Sequence, residues 1–261
     1  MKKVLTIAGS DSSGGAGIQA DLKTFQANGV YGMSVITALT AQNTQGVRGV
    51  FNSSRDFVGQ QMDAVFTDIF PDAVKIGMVA EAAIIEEIVQ KLQAYGASNI
   101  VVDPVMVATS GSNLMEDSAV KTLKEKLLPL ASLITPNMSE AGVLAGIKVH
   151  NKETMLEAGE IISQDLPGAL LIKGGHLEDR ADDLLIIAGE KIWLEGERLD
   201  NENTHGTGCT LSSAIASNLA KGYEMREAIE GAKTYLTGAI ADGLNLGQGR
   251  GPLNHGYNLR V

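Results

Sequence analysis

Short apolar runs alternate along this chain with stretches whose apolar residues recur at helical spacing. Residues 4–8, "VLTIA", have the unbroken apolar character of a buried strand, and Gly9 opens a loop after them. Ile18, Leu22 and Phe25 then share one face of a predicted helix over 16–29, stopped by Gly29. "MSVITALTAQNT" reads as a second strand running into a polar loop. Phe57, Met62, Val65, Phe66 and Ile69 mark the inner face of a helix over 55–69. Further strands are expected at 72–78, 99–105, 132–137 and 169–175. Helices are expected at 82–96, 117–130, 152–165, 209–222 and 225–243. In 183–195, "DLLIIAGEKIWLE", two apolar runs joined by Ala-Gly-Glu-Lys predict a hairpin at or near the sheet edge.

Strand and helix in strict alternation predict an α/β fold, a mostly parallel sheet with helices on both faces. No linker, repeat or low-complexity stretch interrupts the 261 residues, so one domain over 1–261 is expected. In such sheets ligands bind beyond the carboxyl ends of the strands. The loop at 9–17, Gln42, Met78, Asp103, Asn137, Lys173 and the loop before Cys209 fall there.

Charge and cysteine count then narrow the function. A net charge of −10 argues against a nucleic-acid surface but leaves room for one small anionic ligand. A single cysteine excludes an intrachain disulfide framework and points to a reducing cytoplasm. The apolar run after the two amino-terminal lysines is too short for a signal-peptide core, and no run suits a membrane helix. The four histidines, at 150, 176, 205 and 255, lack zinc-ligand spacing.

Two glycine-rich stretches carry candidate chemistry. In "GSDSSGGAGIQAD", Gly15, Gly17 and Ala20 satisfy a dinucleotide-type spacing. The acidic residue that such a site needs some 20 positions on is missing, since no Asp or Glu lies between Asp21 and Asp56. A turn that packs strand against helix, or a substrate-facing loop bearing Asp11 and Asp21, fits better. In "THGTGCT", Gly206 and Gly208 let backbone N–H groups face a ligand just where a helix begins. That is an anion site, suited to phosphate in transfer. Cys209 would feel the same field, which favours thiolate, or it is simply a small residue at a crowded helix start. His205 is an accessory contact or a plain loop residue. Lys173 can reach a phosphate as a point charge, or form a surface ion pair. Asn137 and Glu140 sit three apart, either serving a nucleotide and a magnesium ion or capping a helix. Asp103, before Pro104, is a second acidic candidate for the metal.

Taken in register, "AGSDSSGGAGIQADLKTF", "ALTAQNTQGV", "KIGM", "VVDPVM", "LITPNMSEA", "KGGH", "THGTGCT" and "GQGRGPLNH" resemble the hydroxymethylpyrimidine and phosphomethylpyrimidine kinases of the ribokinase-like superfamily. The resemblance implies a three-layer α/β/α sandwich and an ATP-dependent enzyme of thiamine biosynthesis. Its substrate is 4-amino-5-hydroxymethyl-2-methylpyrimidine, phosphorylated once and then again to the pyrophosphate. It implies that Gln42 reads the aminopyrimidine edge, with Gly9, Asp21, Met78 and Val105 lining the same pocket. Gly206, Thr207, Gly208 and Cys209 correspond to the anion hole and its catalytic cysteine. Lys173, Asn137 and Thr204 are assigned to ATP, and Glu140 and Asp103 to Mg2+. Residues 106–115 look like the flap over the substrate. A homodimer is implied as well. The nearest rival is a pyridoxine or pyridoxal kinase, which shares the fold and the transfer but lacks an amino group for Gln42 to pair with.

Overall fold

The computed structural model describes residues 1–106, 115–175, 177, 180–196, 201 and 203–259. Most of the expected flap and His176 fall outside the described residues.

Nine strands form one sheet among the described residues. They are β1 (Lys3–Asp11), β2 (Tyr31–Asn43), β3 (Gly46–Asn52), β4 (Ala73–Ile76), β5 (Ile100–Val102), β6 (Leu133–Ile134), β7 (Ala169–Ile172), β8 (Asp183–Ile187) and β9 (Glu190–Leu194). The order is β3-β2-β1-β4-β5-β6-β7-β8-β9. From β2 to β7 every neighbouring pair is parallel, while β3, β8 and β9 add antiparallel pairings at the two margins.

The helices are α1 (Gly17–Ala27), α2 (Arg55–Phe66), α3 (Ala82–Tyr95), α4 (Asp117–Thr122), α5 (Met138–Ala145), α6 (Lys152–Ser163), α7 (Thr207–Lys221) and α8 (Met225–Ala241). Behind α4 the backbone stays helical through a wider turn at Leu123–Leu127 and a tighter one at Leu128–Leu130.

Strand alternation builds two apolar layers. Leu5 and Ile7 of β1, Val74 and Ile76 of β4, and Leu170 and Ile172 of β7 face a core shared with Ile84, Ile85 and Ile88 of α3 and Met155 of α6. Val4, Val101, Leu133 and Leu171 face the other way, against Leu211 and Ile215 of α7 and Ile229 of α8. The sandwich therefore follows the sequence expectation. The hairpin at 183–195 forms β8 and β9, and β9 is the sheet edge. No helix of the described residues is long and apolar enough to cross a membrane.

Two elements differ from expectation. The first strand does not end before Gly9 but runs on to Asp11, pairing Ser10 and Asp11 with Leu39 and Thr40 of β2. The polar segment after β2 returns at once as β3, an edge strand with Phe51 and Val50 exposed. Its apolar residues alternate too irregularly to mark a strand from sequence.

Candidate active site

A cleft of about 1680 Å³ opens along the carboxyl ends of the parallel strands. Gly9, Gln42, Met78, Val105, Asp103, Asn137, Glu140, Lys173, Thr204, Gly206, Thr207, Gly208 and Cys209 all belong to its wall. Asp21 does not.

The two glycine-rich stretches meet at one end of this cleft. Asp11, last residue of β1, turns its carboxylate back under the following loop. Oδ1 accepts from the Ser13 N–H and hydroxyl at 2.8 and 2.7 Å, and Oδ2 from the Gly15 and Ala16 N–H groups at 3.1 and 2.9 Å. His205 Nε2 lies 2.8 Å from the same Oδ2, so the pair ties the front loop to the loop before α7. Burial alone would raise the Asp11 pKa, yet the bonds from His205 and Ser13 hold the carboxyl at about 2. Gly206 has φ +87°, and a Cβ there would collide with the Gly15 carbonyl. The loops interlock at a point where only glycine fits.

Beyond this seam α7 starts with no side-chain cap. The N–H groups of Gly208 and Cys209 have no acceptor among the described residues. They stand at the positive end of a 15-residue helix beside the cleft. A Cβ on Gly208 would lie 3.2 Å from both Asp103 Oδ2 and Lys173 Nζ, so glycine keeps this corner open.

Cys209 is half-buried in the cleft wall. The expectation that the helix field favours its thiolate is overturned. Burial is the largest influence and pushes the thiol up to about 11. The Lys75 ammonium and the Gly17 N–H oppose it, while Asp21 and Asp103 add to it.

Asp21 needs the second correction. It is fully buried on the inner face of α1, with Lys75 Nζ 2.9 Å from each carboxylate oxygen. The hydroxyls of Thr6 and Ser213 donate to it at 2.6 and 2.7 Å. All its bonds point into the layer between sheet and helices, so it anchors α7 one turn below Cys209 instead of lining the pocket. Lys75 was missed. Its signal was a lysine inside the otherwise apolar strand "AVKI". Burial is the largest single influence and works against its charge, but Asp21, with Cys209 and Asp103 adding to it, raises the pKa and keeps the ammonium.

On the other side of the cleft, Lys173 Nζ lies 2.8 Å from Asp103 Oδ1, which also accepts from the Thr135 hydroxyl at 3.2 Å. This is an ion pair inside the site, not a surface one; Asp103 is only 2% exposed. Asn137 caps α5 by accepting from the Glu140 N–H at 2.9 Å, and Glu140 Oε2 accepts from the Asn137 N–H at 2.8 Å. The capping reading is thus realised, at the edge of the cleft. Burial pushes the Glu140 carboxyl up to about 7, with Asp103 adding to the shift and Lys173 opposing it.

These groups fit a hard divalent cation. Two carboxylates reach the cleft, and the upward shift of one is the kind that added positive charge relieves. Among the described residues no cluster of three His, Cys, Asp or Glu forms a ready cage, so a magnesium ion would draw further ligands from phosphate and water.

Gln42 stands where β2 meets the seam. Its backbone N–H donates to the Ser12 hydroxyl at 2.9 Å, and that hydroxyl donates to its carbonyl at 2.8 Å. The side chain reaches the Thr40 hydroxyl at 3.1 Å and His205 Nε2 at 3.5 Å. The wall of the cleft thus presents a carboxamide at the seam, with free amides and an ammonium beyond it. That suits a small polar ring held beside a phosphoryl group.

Comparison with known proteins agrees in kind. A family model described as phosphomethylpyrimidine kinase matches residues 11–254. The hydroxymethylpyrimidine/phosphomethylpyrimidine kinase of Rhizobium meliloti is 52% identical over 255 residues, 96% of each chain. The crystal structure of the phosphomethylpyrimidine kinase of Clostridium difficile superposes with a TM-score of 0.83 at 51% identity, over 92% of this chain and 100% of that one. The ADP complex of Bacillus subtilis pyridoxal kinase superposes with a TM-score of 0.92 at 40% identity, over 100% of both chains.

Proposed function

Because the chain belongs to the phosphomethylpyrimidine kinase family, we propose that it moves the γ-phosphoryl group of ATP onto the hydroxymethyl oxygen of 4-amino-5-hydroxymethyl-2-methylpyrimidine, and then a second one onto the monophosphate, in thiamine biosynthesis. The observation that carries the residue-level reading is that a carboxamide and an uncapped helix start line the same cleft.

In this reading Gln42 pairs its carboxamide with the ring nitrogen and amino group, and Gly9, Met78 and Val105 pack on the ring. The hydroxymethyl oxygen then faces the start of α7. It bonds to the γ-phosphorus as the bond to the β–γ bridging oxygen breaks, ADP leaves, and the hydroxyl proton is lost to solvent as the new P–O bond forms. The Gly208 and Cys209 amides, with Thr207 beside them, stabilise charge on the equatorial oxygens. Lys173 adds a point charge, and Thr204 and Asn137 border the nucleotide. A loose phosphoryl transition state asks little of a base. A thiol held at about 11 is protonated near neutral pH, so Cys209 orients the hydroxyl and does not take its proton in advance. Asp103 and Glu140 would hold Mg2+, which neutralises phosphate charge when bound with ATP. The same reading makes the enzyme a cytoplasmic homodimer.

The likeness to a pyridoxal kinase supplies a second reading, with a pyridine ring in the same pocket. A coupled ATP assay with the aminopyrimidine, its monophosphate and pyridoxine separates the two. The aminopyrimidine is expected to be the better substrate. Gln42→Ala is expected to lower kcat/KM for it by about a hundredfold with the KM for ATP unchanged. Equal loss toward both ligands removes the assignment of Gln42, and preferred turnover of pyridoxine favours the second reading.

A further inference from the structure

A carboxamide that turns over freely serves two kinds of pyrimidine edge. One way round, it meets a ring nitrogen and an amino group; turned over, it meets a ring N–H and a carbonyl. Discrimination between them requires that the amide be held.

The surroundings of Gln42 hold it. Asp11 Oδ2 takes N–H groups from Gly15 and Ala16 and has no proton to give, so the His205 Nε2 that faces it at 2.8 Å must carry a hydrogen. The same Nε2 lies 3.5 Å from the Gln42 amide nitrogen. An amide nitrogen there sets donor against donor. With the amide turned over, its oxygen there shares the one Nε2–H of His205, whose main acceptor remains Asp11. In the structure Gln42 Oε1 faces the Thr40 hydroxyl at 3.1 Å, but that hydroxyl has one hydrogen and the Ser10 carbonyl at 2.9 Å takes it, so turning the amide over puts the amide nitrogen there and lets the hydroxyl accept. This arrangement removes the N–H against N–H contact with His205 and leaves the Thr40 hydroxyl one hydrogen to give and one to accept. His205 itself has little freedom, being packed under Gly15 and held by its own N–H to the Gly251 carbonyl at 3.1 Å.

We infer that Asp11 and His205 form a positioning pair that fixes which way round Gln42 presents its carboxamide, and so sets the preference for a 4-amino over a 4-oxo pyrimidine. The inference rests on Gln42 being the ring-reading residue proposed above. Asp11 and His205 act through Gln42 and need not touch the substrate.

The test compares kcat/KM for the 4-amino substrate and its 4-oxo analogue in wild type, His205→Ala, His205→Met, His205→Gln and Gln42→Ala. Wild type is expected to favour the amino ring by about a hundredfold or more. His205→Ala should bring that ratio within about tenfold, mainly through the KM for the pyrimidine, with the KM for ATP within about twofold. His205→Met keeps the bulk beneath Gly15 and removes the donor, so it should do the same where the alanine variant does not fold. His205→Gln restores an N–H donor toward Asp11 and should recover most of the ratio. An unchanged ratio in the Ala and Met variants, with the ratio lost in Gln42→Ala, overturns the inference and leaves the Gln42 reading standing. A ratio unchanged in all variants overturns both. Parallel loss of ATP affinity marks His205 as a mere prop for the loop and also overturns the inference.

Discussion

The front loop at Ser12–Gly17 and the loop at Thr204–Gly208 are built from the same material. Each is glycine-rich, and each leads into a helix on the same face of the sheet. Their electrostatic states are opposite. The amides of Gly15 and Ala16, ahead of α1, are occupied by the chain's own carboxylate, Asp11. The amides of Gly208 and Cys209, at the start of α7, have no acceptor among the described residues. A helix start binds a ligand anion only if no resident anion has taken its place. The front loop is therefore a finished piece of structure that holds its neighbour in position, and the second loop is the one whose amides are left without a resident acceptor among the described residues.

The sharpest way to break this pairing is at the seam. Gly206→Ala places a methyl group against the Gly15 carbonyl in a left-handed backbone that alanine resists. It is expected to lower kcat/KM by about a thousandfold through displacement of the α7 amides. Activity within about tenfold of wild type in steady-state assays would show that the interlock is dispensable.

Removing the resident anion tests the other side. Asp11 is held at about 2 against an ordinary 3.8, so its stabilisation is present above about pH 4 and is lost as pH falls from there toward 2. Asp11→Ala is expected to lose about 2 kcal/mol at neutral pH, with the gap to wild type closing over that acid window in urea unfolding. Sulfate should then stabilise the variant more than wild type, because the emptied amides accept it. Equal response to sulfate would mean that the front amides are not an anion site even when vacated.

The smallest effect reports on the thiol alone. With Cys209 pushed up to about 11, alkylation by iodoacetamide should be slow near pH 7 and rise about tenfold per pH unit up to pH 10. A plateau reached below pH 8 would restore the activated thiolate and with it a role as base.

Much of this architecture was legible in residue order. Alternating runs located the parallel strands, and "DLLIIAGEKIWLE" marked the edge hairpin. The short polar segment that became β3 was not legible, because an edge strand buries little and needs no clean alternation. Asp21 was misplaced for a more instructive reason. Its position near the strand ends suggested the pocket, whereas its spacing from Ile18 and Phe25 puts it on the buried face of α1. Its partner was visible too, as the lysine interrupting an apolar strand. Cys209 was correctly set at a helix start, but the sign of its shift followed from burial and from the carboxylates of Asp21 and Asp103, which outweigh Lys75 and the Gly17 N–H.

The sequence by itself determined the layers, the strand order's parallel core and the site's general position, because burial repeats with a period that neighbours along the chain must obey. Tertiary structure alone decided which helix start stayed open, which carboxylate faced the cleft and which side chains surround Gln42. Those outcomes rest on hydrogen bonds between groups as distant as Asp11 and His205, 194 positions apart. A donor's partner is fixed by where the folded chain brings an acceptor, and no local pattern carries that information.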